Sequence, residues 1–342
     1  MIDSQAITLY TSIPPKMHRM AGDRAYGDAY QKECINSWIS AGFRVVSINP
    51  GSEIAYLANK YPQVRFEDSG SEDVRTGIHV FLRKMLATGE PLSGIMNADC
   101  YLTGFDAIFD TICANAEESI VLLRRLNIDP RALRPIGSLA TGFDAFFFDT
   151  KFLADIEDSK NWKIGQPWWD FWFPIAMYFA GARIRTLDVP ALLHLDHEQR
   201  WDQEEWVFKA GIFRDTLRNF GTRLNGDKKT PQGLKLCGVD LSDERQEPTQ
   251  MWAHLLRWVQ LSAETIRLSS EDLAGNFLGK VLMGLEESQE ASLRHLLETV
   301  TFRQWLGSKR ASAHRLRNRI RGQLSFLNPQ SPRVESTPTG KQ

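Results

Sequence analysis

The residues that suggest chemistry in this sequence are carboxylates and histidines at the ends of apolar segments. In "GIMNADCYLTGF" an apolar run ends on Asn97 and Asp99, and in "TGFDAFFFDT" Asp144 opens a run of phenylalanines. Asp170 stands in "IGQPWWDFW", near the start of a helical pattern, and "HLDHE" brings two histidines to the end of an extended run. Oxygen ligands suit Mg²⁺ or Mn²⁺, and an imidazole shifts the preference towards Mn²⁺. This set predicts a divalent cation beside a diphosphate leaving group, and a carboxylate that accepts a hydroxyl proton.

Each of these groups also has a purely structural interpretation. Asp99 can cap a following helix, and Asp144 can form a cap or a salt bridge. Asp170 can complement a helix dipole, and His194 and His197 can each be a hydrogen-bonded histidine of the core. The shared position at the ends of elements favours chemistry, because open α/β sheets bind their ligands at the carboxyl ends of their strands.

Short apolar runs alternate with amphipathic runs up to about residue 200, which predicts βα units around a largely parallel sheet. The predicted strands are 6–13, 43–50, 64–69, 92–100, 120–128, 141–150 and an extended run over 183–197 with a break at Pro190. The predicted helices are 28–42, 52–62 with a cap at Ser52, 76–89, a helical segment after Asp99 over 105–119, and 164–182 with Pro167 at its first position.

Strand patterns largely vanish beyond residue 200. An amphipathic helix is predicted over 201–221, a loop over 221–249 and two or three helices over 250–306. The basic segment 308–324 suits either an anionic membrane surface or a solvated helix face. We therefore predict a nucleotide-sugar-binding and catalytic domain over 1–200, a helical region over 201–325 and a disordered tail over 326–342.

Composition excludes several classes of function. The net charge of −1 gives no global field that recruits nucleic acid. The four cysteines are too scattered for a zinc or redox motif. No apolar run reaches the length of a membrane span, and the first residues lack the pattern of a signal peptide. The prediction is a cytoplasmic protein with at most a peripheral membrane contact through 308–324.

The order of the motifs resembles the glycosyltransferases of the GT-A fold. The matching series is "NAD" after an apolar strand, then "TGFDAFFF", "IGQPWWDFW" and "HLDHE", within about residues 6–200. The resemblance implies a GT-A-like α/β fold with a mostly parallel central sheet flanked by helices and a helical C-terminal extension. It also implies transfer of a sugar from a nucleotide-diphosphate-sugar to a hydroxyl acceptor, a glycan or glycolipid, in surface polysaccharide or glycoconjugate assembly.

The resemblance also assigns roles to single residues. It implies that Asp99 and one of His194 and His197 bind Mn²⁺ or Mg²⁺, and that Asp170 is the base of an inverting transfer. Asn97 replaces the first aspartate of the family's Asp-x-Asp motif, which puts tight metal dependence in doubt. The residues implied to contact donor and acceptor are Tyr10, Thr11, Ser12, Asn97, Gly142, Asp144, Trp168 and Trp169.

Two expectations concern the carboxylates themselves. We expect the helix dipole to favour the charged form of Asp170. We expect Asp99→Ala to abolish transfer while changing stability by only about 0.5 kcal/mol, as for a surface residue.

Two other functions stay open at this point. A sugar nucleotidyltransferase shares the sheet and the metal, but the segment after the first strand, "SIPPKMHRMAGDRAYGDAY", lacks the Gly-rich basic loop of that class. A non-catalytic nucleotide-sugar or glycan-binding protein on a degenerate GT-A fold is the other alternative, and Asn97 is its main support.

Overall fold

The computed structural model describes most of the chain up to residue 267. The described residues are 7–21, 24–25, 27–103, 108–129, 134–136, 142–156, 159–187, 191–197, 201–223 and 247–267. The segments 308–324 and 326–342, with their predicted membrane contact and disorder, lie outside these residues.

The described elements alternate between strands and helices along most of their length. The strands are β1 (Thr8–Thr11), β2 (Met20–Ala21), β3 (Arg24–Ala25), β4 (Arg44–Asn49), β5 (Arg65–Asp68), β6 (Leu92–Met96), β7 (Tyr101–Leu102), β8 (Ser119–Asp129), β9 (Arg134–Pro135), β10 (Phe143–Asp149), β11 (Arg183–Leu187), β12 (Leu192–Leu195) and β13 (Glu264–Ile266). The α-helices are α1 (Gly27–Ser40), α2 (Gly51–Lys60), α3 (Ile78–Thr88), α4 (Ile108–Ala116), α5 (Trp169–Phe179), α6 (Gln203–Arg223) and α7 (Pro248–Ser262), and 3₁₀ helices span Thr150–Asp155 and Ser159–Asn161.

Most of these strands form one central sheet in the order β13-β11-β8-β10-β6-β1-β4-β5. Strands β5, β4, β1 and β6 are parallel neighbours, and so are β8, β11 and β13. Strand β10 runs antiparallel to both β6 and β8, so the other strands of this order all point the same way. The predicted α/β class with a mostly parallel sheet and flanking helices is confirmed.

The phenylalanine-rich strand β10 fixes the position of helix α5. Every residue of β10 is buried between its two neighbours. Phe146 packs edge-on against Trp169 at 5.3 Å between ring centroids, and Phe148 packs against Phe173 at 5.2 Å. These contacts align α5 with β10, so the first turn of α5 lies at the edge of the sheet where β10 begins.

Strand β8 is long enough to pair with two strands in succession. Its first half pairs with β11, and its second half pairs with β12, in a register that places His194 beside Asn127. Strand β12 also pairs with β7, just after Asp99. This arrangement brings the histidine segment next to the segment that follows β6.

Helices α6 and α7 pack into the same hydrophobic core as the sheet. Phe213 of α6 and Leu255 of α7 belong to one buried cluster with Trp162 and Trp172. Strand β13 extends the sheet by pairing with β11. The predicted domain boundary at residue 200 therefore separates segments that share a core, and the predicted helical region contains a strand.

The other strands and helices predicted between residues 6 and 197 are present with bounds shifted by a few residues, and Pro190 lies outside the described residues. The predicted cap at Ser52 is wrong, because α2 starts after Pro50 without a side-chain cap and the Ser52 hydroxyl donates to Glu72. Pro167 precedes α5 instead of starting it.

Asp99 lies in a turn, and after Cys100 the chain enters strand β7, so the alternative that Asp99 caps a helix is also wrong. Among the described helices, none combines the length and apolar character that crossing a membrane requires.

Candidate functional site

A cleft of about 470 Å³ opens at the carboxyl ends of β1 and β6 and beside the first turn of α5. That volume lies within the range of small-molecule sites. The predicted site residues that line it are Ser12, Asn97, Asp99, Gly142, Asp144, Trp169, Asp170, His194 and His197. The sheet topology therefore gathers in one place the motifs that are far apart in the sequence.

Asp99, His194 and His197 form a cluster with the chemistry of a metal site. The Asp99 Oδ2 atom lies 3.3 Å from His194 Nε2 and 3.4 Å from His197 Nε2. One ligand atom from each residue falls within 4.8 Å of the others. One carboxylate oxygen and two imidazole nitrogens fit a divalent cation, and the two nitrogens favour Mn²⁺ over Mg²⁺.

Buried hydrogen bonds hold this cluster together. The single hydroxyl proton of Tyr30 in α1 lies within reach of the carbonyl oxygens of Asp99 (2.9 Å) and Leu193 (3.1 Å), and the hydroxyl oxygen accepts from the Leu195 N–H at 3.1 Å. Tyr30 thus links the Asp99 segment to β12. Since it is fully buried, this junction is shielded from solvent.

The Asp99 carboxylate is held in its charged form. Burial alone would raise its pKa, but His194, His197 and Arg19 outweigh burial and hold the pKa well below its usual range. Arg19 is 5% exposed and donates from its guanidinium to Asp99 Oδ2. A cation at this cluster therefore shares the Asp99 oxygen with a guanidinium that already supplies positive charge.

Burial lowers the pKa of His194, and the Asp99 carboxylate acts in the opposite direction. The His194 Nδ1 atom lies 3.2 Å from Asn127 Oδ1. When Nδ1–H donates to that amide oxygen, Nε2 keeps a lone pair on the side of Asp99. A hydrogen bond of this kind fixes the tautomer of metal-binding histidines.

Asn97, Asp144 and Arg125 form a second polar group in the cleft. Asp144 Oδ1 accepts from the Asn97 amide at 2.7 Å and from Arg125 at 2.5 Å. The salt bridge that was one interpretation of Asp144 is therefore present. Asp144 is 3% exposed, and its Oδ2 atom has no hydrogen-bond partner among the described residues. That oxygen is available to a donor on a ligand.

Asp170 lies in the first turn of α5, and its pKa is raised to about 7. Burial is the main cause and the charge of Asp144 adds to it, while Arg125 and the N–H of Phe143 act in the opposite direction. Backbone N–H groups at the start of α5 favour the charged form of Asp170, but burial and the neighbouring carboxylate outweigh them. A carboxylate with a pKa near neutrality suits proton transfer at physiological pH.

Two backbone features make room for Asp170. A Cβ atom on Gly142 would lie 2.9 Å from Asp170 Oδ2, so the carboxylate occupies the space that a side chain would fill. Trp168 precedes α5 with φ of +73°, which is uncommon for a bulky residue. This left-handed residue turns the Trp168 side chain into the core and leaves Asp170 facing the cleft.

The structure corrects the positions of three predicted contact residues. Tyr10 belongs to the buried core with its hydroxyl near Thr88, on the side of α3. Thr11 is fully buried within β1. Trp168 is 1% exposed, and its indole N–H donates to the Trp206 carbonyl at 3.0 Å. None of the three side chains is among those that line the cleft.

Sequence reasoning missed several residues that line the cleft. Arg19 lies in the basic segment after β1, to which no role was assigned, and Arg125 interrupts the apolar strand β8. The two adjacent arginines of this strand, Arg124 and Arg125, were a usable signal, because a buried charge requires a partner. Trp201, Trp206 and Trp252 carried no signal of this kind, since they lie outside the region of the resemblance.

Comparison with known proteins adds little to this geometry. No family model and no curated protein matches the sequence. Similar solved structures include a mannose-1-phosphate geranyltransferase from Thermus thermophilus, with 11% identity, a TM-score of 0.31, and coverage of 44% of this chain and 59% of that chain.

Two further structures have comparable scores. A nucleotidyl transferase from Methanothermobacter thermautotroptrophicus has 12% identity, a TM-score of 0.36, and coverage of 62% of this chain and 99% of that chain. A cytidylyltransferase from Leptospira borgpetersenii serovar Hardjo-bovis has 12% identity, a TM-score of 0.30, and coverage of 44% and 63%. No activity is inferred for this chain from likenesses at these scores.

Proposed function

We propose that the protein is a glycosyltransferase that moves a sugar from a nucleotide-diphosphate-sugar to a hydroxyl acceptor. One observation carries the proposal: a single cleft holds both a cluster suited to a divalent cation and a carboxylate whose pKa is about 7. A transfer to a hydroxyl needs both functions, charge neutralisation at the leaving group and removal of the hydroxyl proton.

The cationic part of the cleft suits the diphosphate. Asp99, His194 and His197 would hold Mn²⁺ or Mg²⁺, which when bound supplies Lewis-acid stabilisation of the phosphate oxygens. Arg19 and Arg125 line the same cleft, and guanidinium groups match phosphate oxygens in geometry. The chain thus offers fixed positive charge to the diphosphate in addition to any cation.

Asp170 accepts the proton in this proposal. The acceptor oxygen forms a bond to the anomeric carbon, and the bond from that carbon to the diphosphate oxygen breaks. The hydroxyl proton passes to Asp170, and the nucleoside diphosphate leaves with the bonding electrons. With one carboxylate acting as a base in a single displacement, the product has inverted anomeric configuration.

The resemblance to the GT-A glycosyltransferases supports the same conclusion, because the residues that carry it are those that meet in the cleft. On that basis the acceptor is a glycan or a glycolipid in surface polysaccharide or glycoconjugate assembly. A cytoplasmic location completes the proposal.

Nucleotidyl transfer is a second candidate, and Arg19 is the observation that favours it. Arg19 follows β1 and reaches the cleft, where it pairs with Asp99. A nucleotidyltransferase uses basic residues from this position to bind a triphosphate. Asp170 argues for the first candidate, because a sugar phosphate attacks as an ionised oxygen and requires no base.

Calorimetric titration with UDP- and GDP-sugars, with and without Mn²⁺, tests the proposal. We expect Mn²⁺ to raise nucleotide affinity roughly 5- to 150-fold, the usual range of coupling between linked ligands. His197→Ala is expected to remove this coupling, whereas His254→Ala, on α7 and not lining the cleft, is expected to keep it. Absence of nucleotide binding under both conditions would contradict the proposal.

A further inference from the structure

Three tryptophans from the C-terminal part of the described chain line one wall of the cleft. They are Trp201, just before α6, Trp206 on α6 and Trp252 on α7. Trp201 and Trp206 are stacked, with ring centroids 5.1 Å apart and an interplanar angle of 17°. All three are partly accessible to solvent, and Trp206 is in ring contact with both Trp201 and Trp168.

The three tryptophans pack, directly or through one another, on the residues that flank Asp170. Trp206 packs on Trp168, the residue before α5, with ring centroids 4.5 Å apart. Trp252 packs edge-on against Phe171, the residue after Asp170, at 5.8 Å. A ring bound on this aromatic wall therefore lies beside the Asp170 carboxylate.

An amide oxygen near the tryptophans, Oε1 of Gln166, lacks a hydrogen-bond donor among the described residues. Gln166 Nε2 donates to Glu205 Oε1 at 3.1 Å, and this contact fixes the orientation of the Gln166 amide because a carboxylate only accepts. The Gln166 Oε1 atom is buried, and no described residue donates to it. An unsatisfied buried acceptor costs about 1–3 kcal/mol, which a ligand hydroxyl can recover.

From these observations we propose that Trp201, Trp206 and Trp252 form the binding surface for a neutral glycan, with Gln166 accepting from one of its hydroxyls. As an acceptor site the surface rests on the proposed glycosyltransferase function. A pyranose ring has an apolar C–H face that packs on indole and a rim of hydroxyl donors that match free acceptor oxygens.

The charge of this wall argues against the nucleotide as its ligand. Glu205 directly precedes Trp206, and Asp170 directly precedes Phe171, on which Trp252 packs. Carboxylates therefore lie next to the wall and disfavour a phosphate-bearing ligand there. Arg75 neutralises Glu205 in part, at 2.7 Å. Arg19, by contrast, lies with the Asp99 cluster, so that cluster suits the phosphates better.

Saturation-transfer NMR titration tests the proposal with neutral trisaccharides of glucose, mannose, galactose and N-acetylglucosamine, and in parallel with UDP and GDP in the presence of Mn²⁺. We expect at least one trisaccharide to bind. Trp252→Ala and Trp201→Ala should each weaken that binding about five- to tenfold, as expected for loss of an aromatic contact. Trp252→Phe should retain most of it, and so should Tyr56→Ala, a control at an exposed aromatic residue on α2.

The arms of the experiment separate this inference from the proposed function. Nucleotide binding without any trisaccharide binding would overturn the glycan surface and leave the proposed function in place. Trisaccharide binding without nucleotide binding would overturn the proposed function and leave the glycan surface in place. If the tryptophan variants weaken nucleotide binding and leave trisaccharide binding unchanged, the wall binds the nucleobase and the proposal is overturned.

Discussion

At the residue scale, the cleft gives its two principal carboxylates opposite electrostatic environments. Cationic and imidazole neighbours hold the pKa of Asp99 well below its usual range, whereas burial and the charge of Asp144 raise that of Asp170 to about 7. Environments that push the pKa values of two carboxylates apart are typical of sites in which one group binds and the other transfers protons. This contrast is the physical basis for the roles proposed here, cation binding at Asp99 and proton transfer at Asp170.

The first prediction concerns Asp170→Asn. The amide cannot accept the acceptor proton but has nearly the same shape, so nucleotide-sugar affinity should stay nearly unchanged. Turnover should fall by at least roughly 10²-fold, the low end of the usual effect of a general base. Steady-state kinetics and a direct binding measurement check the two parts. Near-normal turnover, or a product with retained configuration, would rule out Asp170 as the base.

The second prediction is the pH dependence that follows from the pKa of Asp170. Because a base must be ionised, kcat should rise with pH and level off above about 7. The folded pKa lies above the ordinary value of 3.8, so the folded state binds this proton more tightly than the unfolded chain. Its contribution to stability is thus complete below the unfolded pKa and is lost as pH rises through about 7.

Asp170→Asn isolates this effect, since the asparagine does not titrate. Urea unfolding at several pH values should show the variant gaining stability relative to the natural chain between acidic pH and pH 8. A constant difference across that range would show that the pKa of Asp170 is not raised.

The third prediction revises the effect of Asp99→Ala on stability. The expected change of a surface residue, about 0.5 kcal/mol, does not apply, because Asp99 pairs with the buried Arg19. Its removal leaves a buried charge without its partner, which typically costs about 3–5 kcal/mol. Urea unfolding should show this loss, and Arg19→Met combined with Asp99→Ala should recover part of it. A single variant as stable as the natural chain would contradict the burial of this pair.

At the element scale, the start of β10 and the first turn of α5 are fitted to each other. The phenylalanines of β10 align α5, and Gly142 leaves the space that the Asp170 carboxylate occupies. The orientation of the base thus depends on packing between two elements and not on the helix alone.

The fourth prediction tests this fit with Gly142→Ala. The added methyl group lies 2.9 Å from Asp170 Oδ2, so the carboxylate must move. Turnover should fall about tenfold or more, since small displacements of catalytic groups can cost up to about 10²-fold, while nucleotide affinity changes little. Gly211→Ala on α6 is the matched control. Outside its own helix backbone, no described residue has an atom within 4 Å of its added Cβ, so turnover should be unchanged. Equal turnover in both variants would show that Asp170 does not depend on this space.

The sequence predicted the elements better than the directions of their side chains. Alternation of short apolar and amphipathic runs was sufficient for the βα order, and the four motifs were correctly expected to approach one another. The side chains of Tyr10 and Trp168 were misplaced. Alternation does not show which face of β1 meets the cleft, and the left-handed backbone at Trp168 is not visible in "QPWWD".

Long-range pairing explains the rest of what the sequence did not reveal. The contact of Arg19 with Asp99 depends on how the segment after β1 folds over the sheet. The approach of His194 to Asn127 depends on β8 pairing with two strands in turn. Neither is encoded in a local pattern, so neither could be derived from spacing.

At the scale of the whole molecule, the α/β part and the helices that follow it form one site. Helices α6 and α7 contribute tryptophans to the cleft and apolar residues to the common core. A chain cut at residue 200 would lose Trp201, Trp206 and Trp252 and expose the core. Under the proposed function, we therefore expect the α/β part to bind the sugar donor and helices α6 and α7 to help bind the acceptor, within one folded unit.

The measurement that tests the central claim most directly is the identification by ³¹P NMR of the phosphate product that the protein releases. The chain is incubated with Mn²⁺ and UDP- or GDP-sugars plus the four trisaccharides, and separately with nucleoside triphosphates plus sugar 1-phosphates. We predict release of nucleoside diphosphate in the first mixture, dependent on Asp170, and no pyrophosphate in the second. Release of pyrophosphate in the second mixture, with no nucleoside diphosphate in the first, would contradict glycosyl transfer and establish nucleotidyl transfer instead.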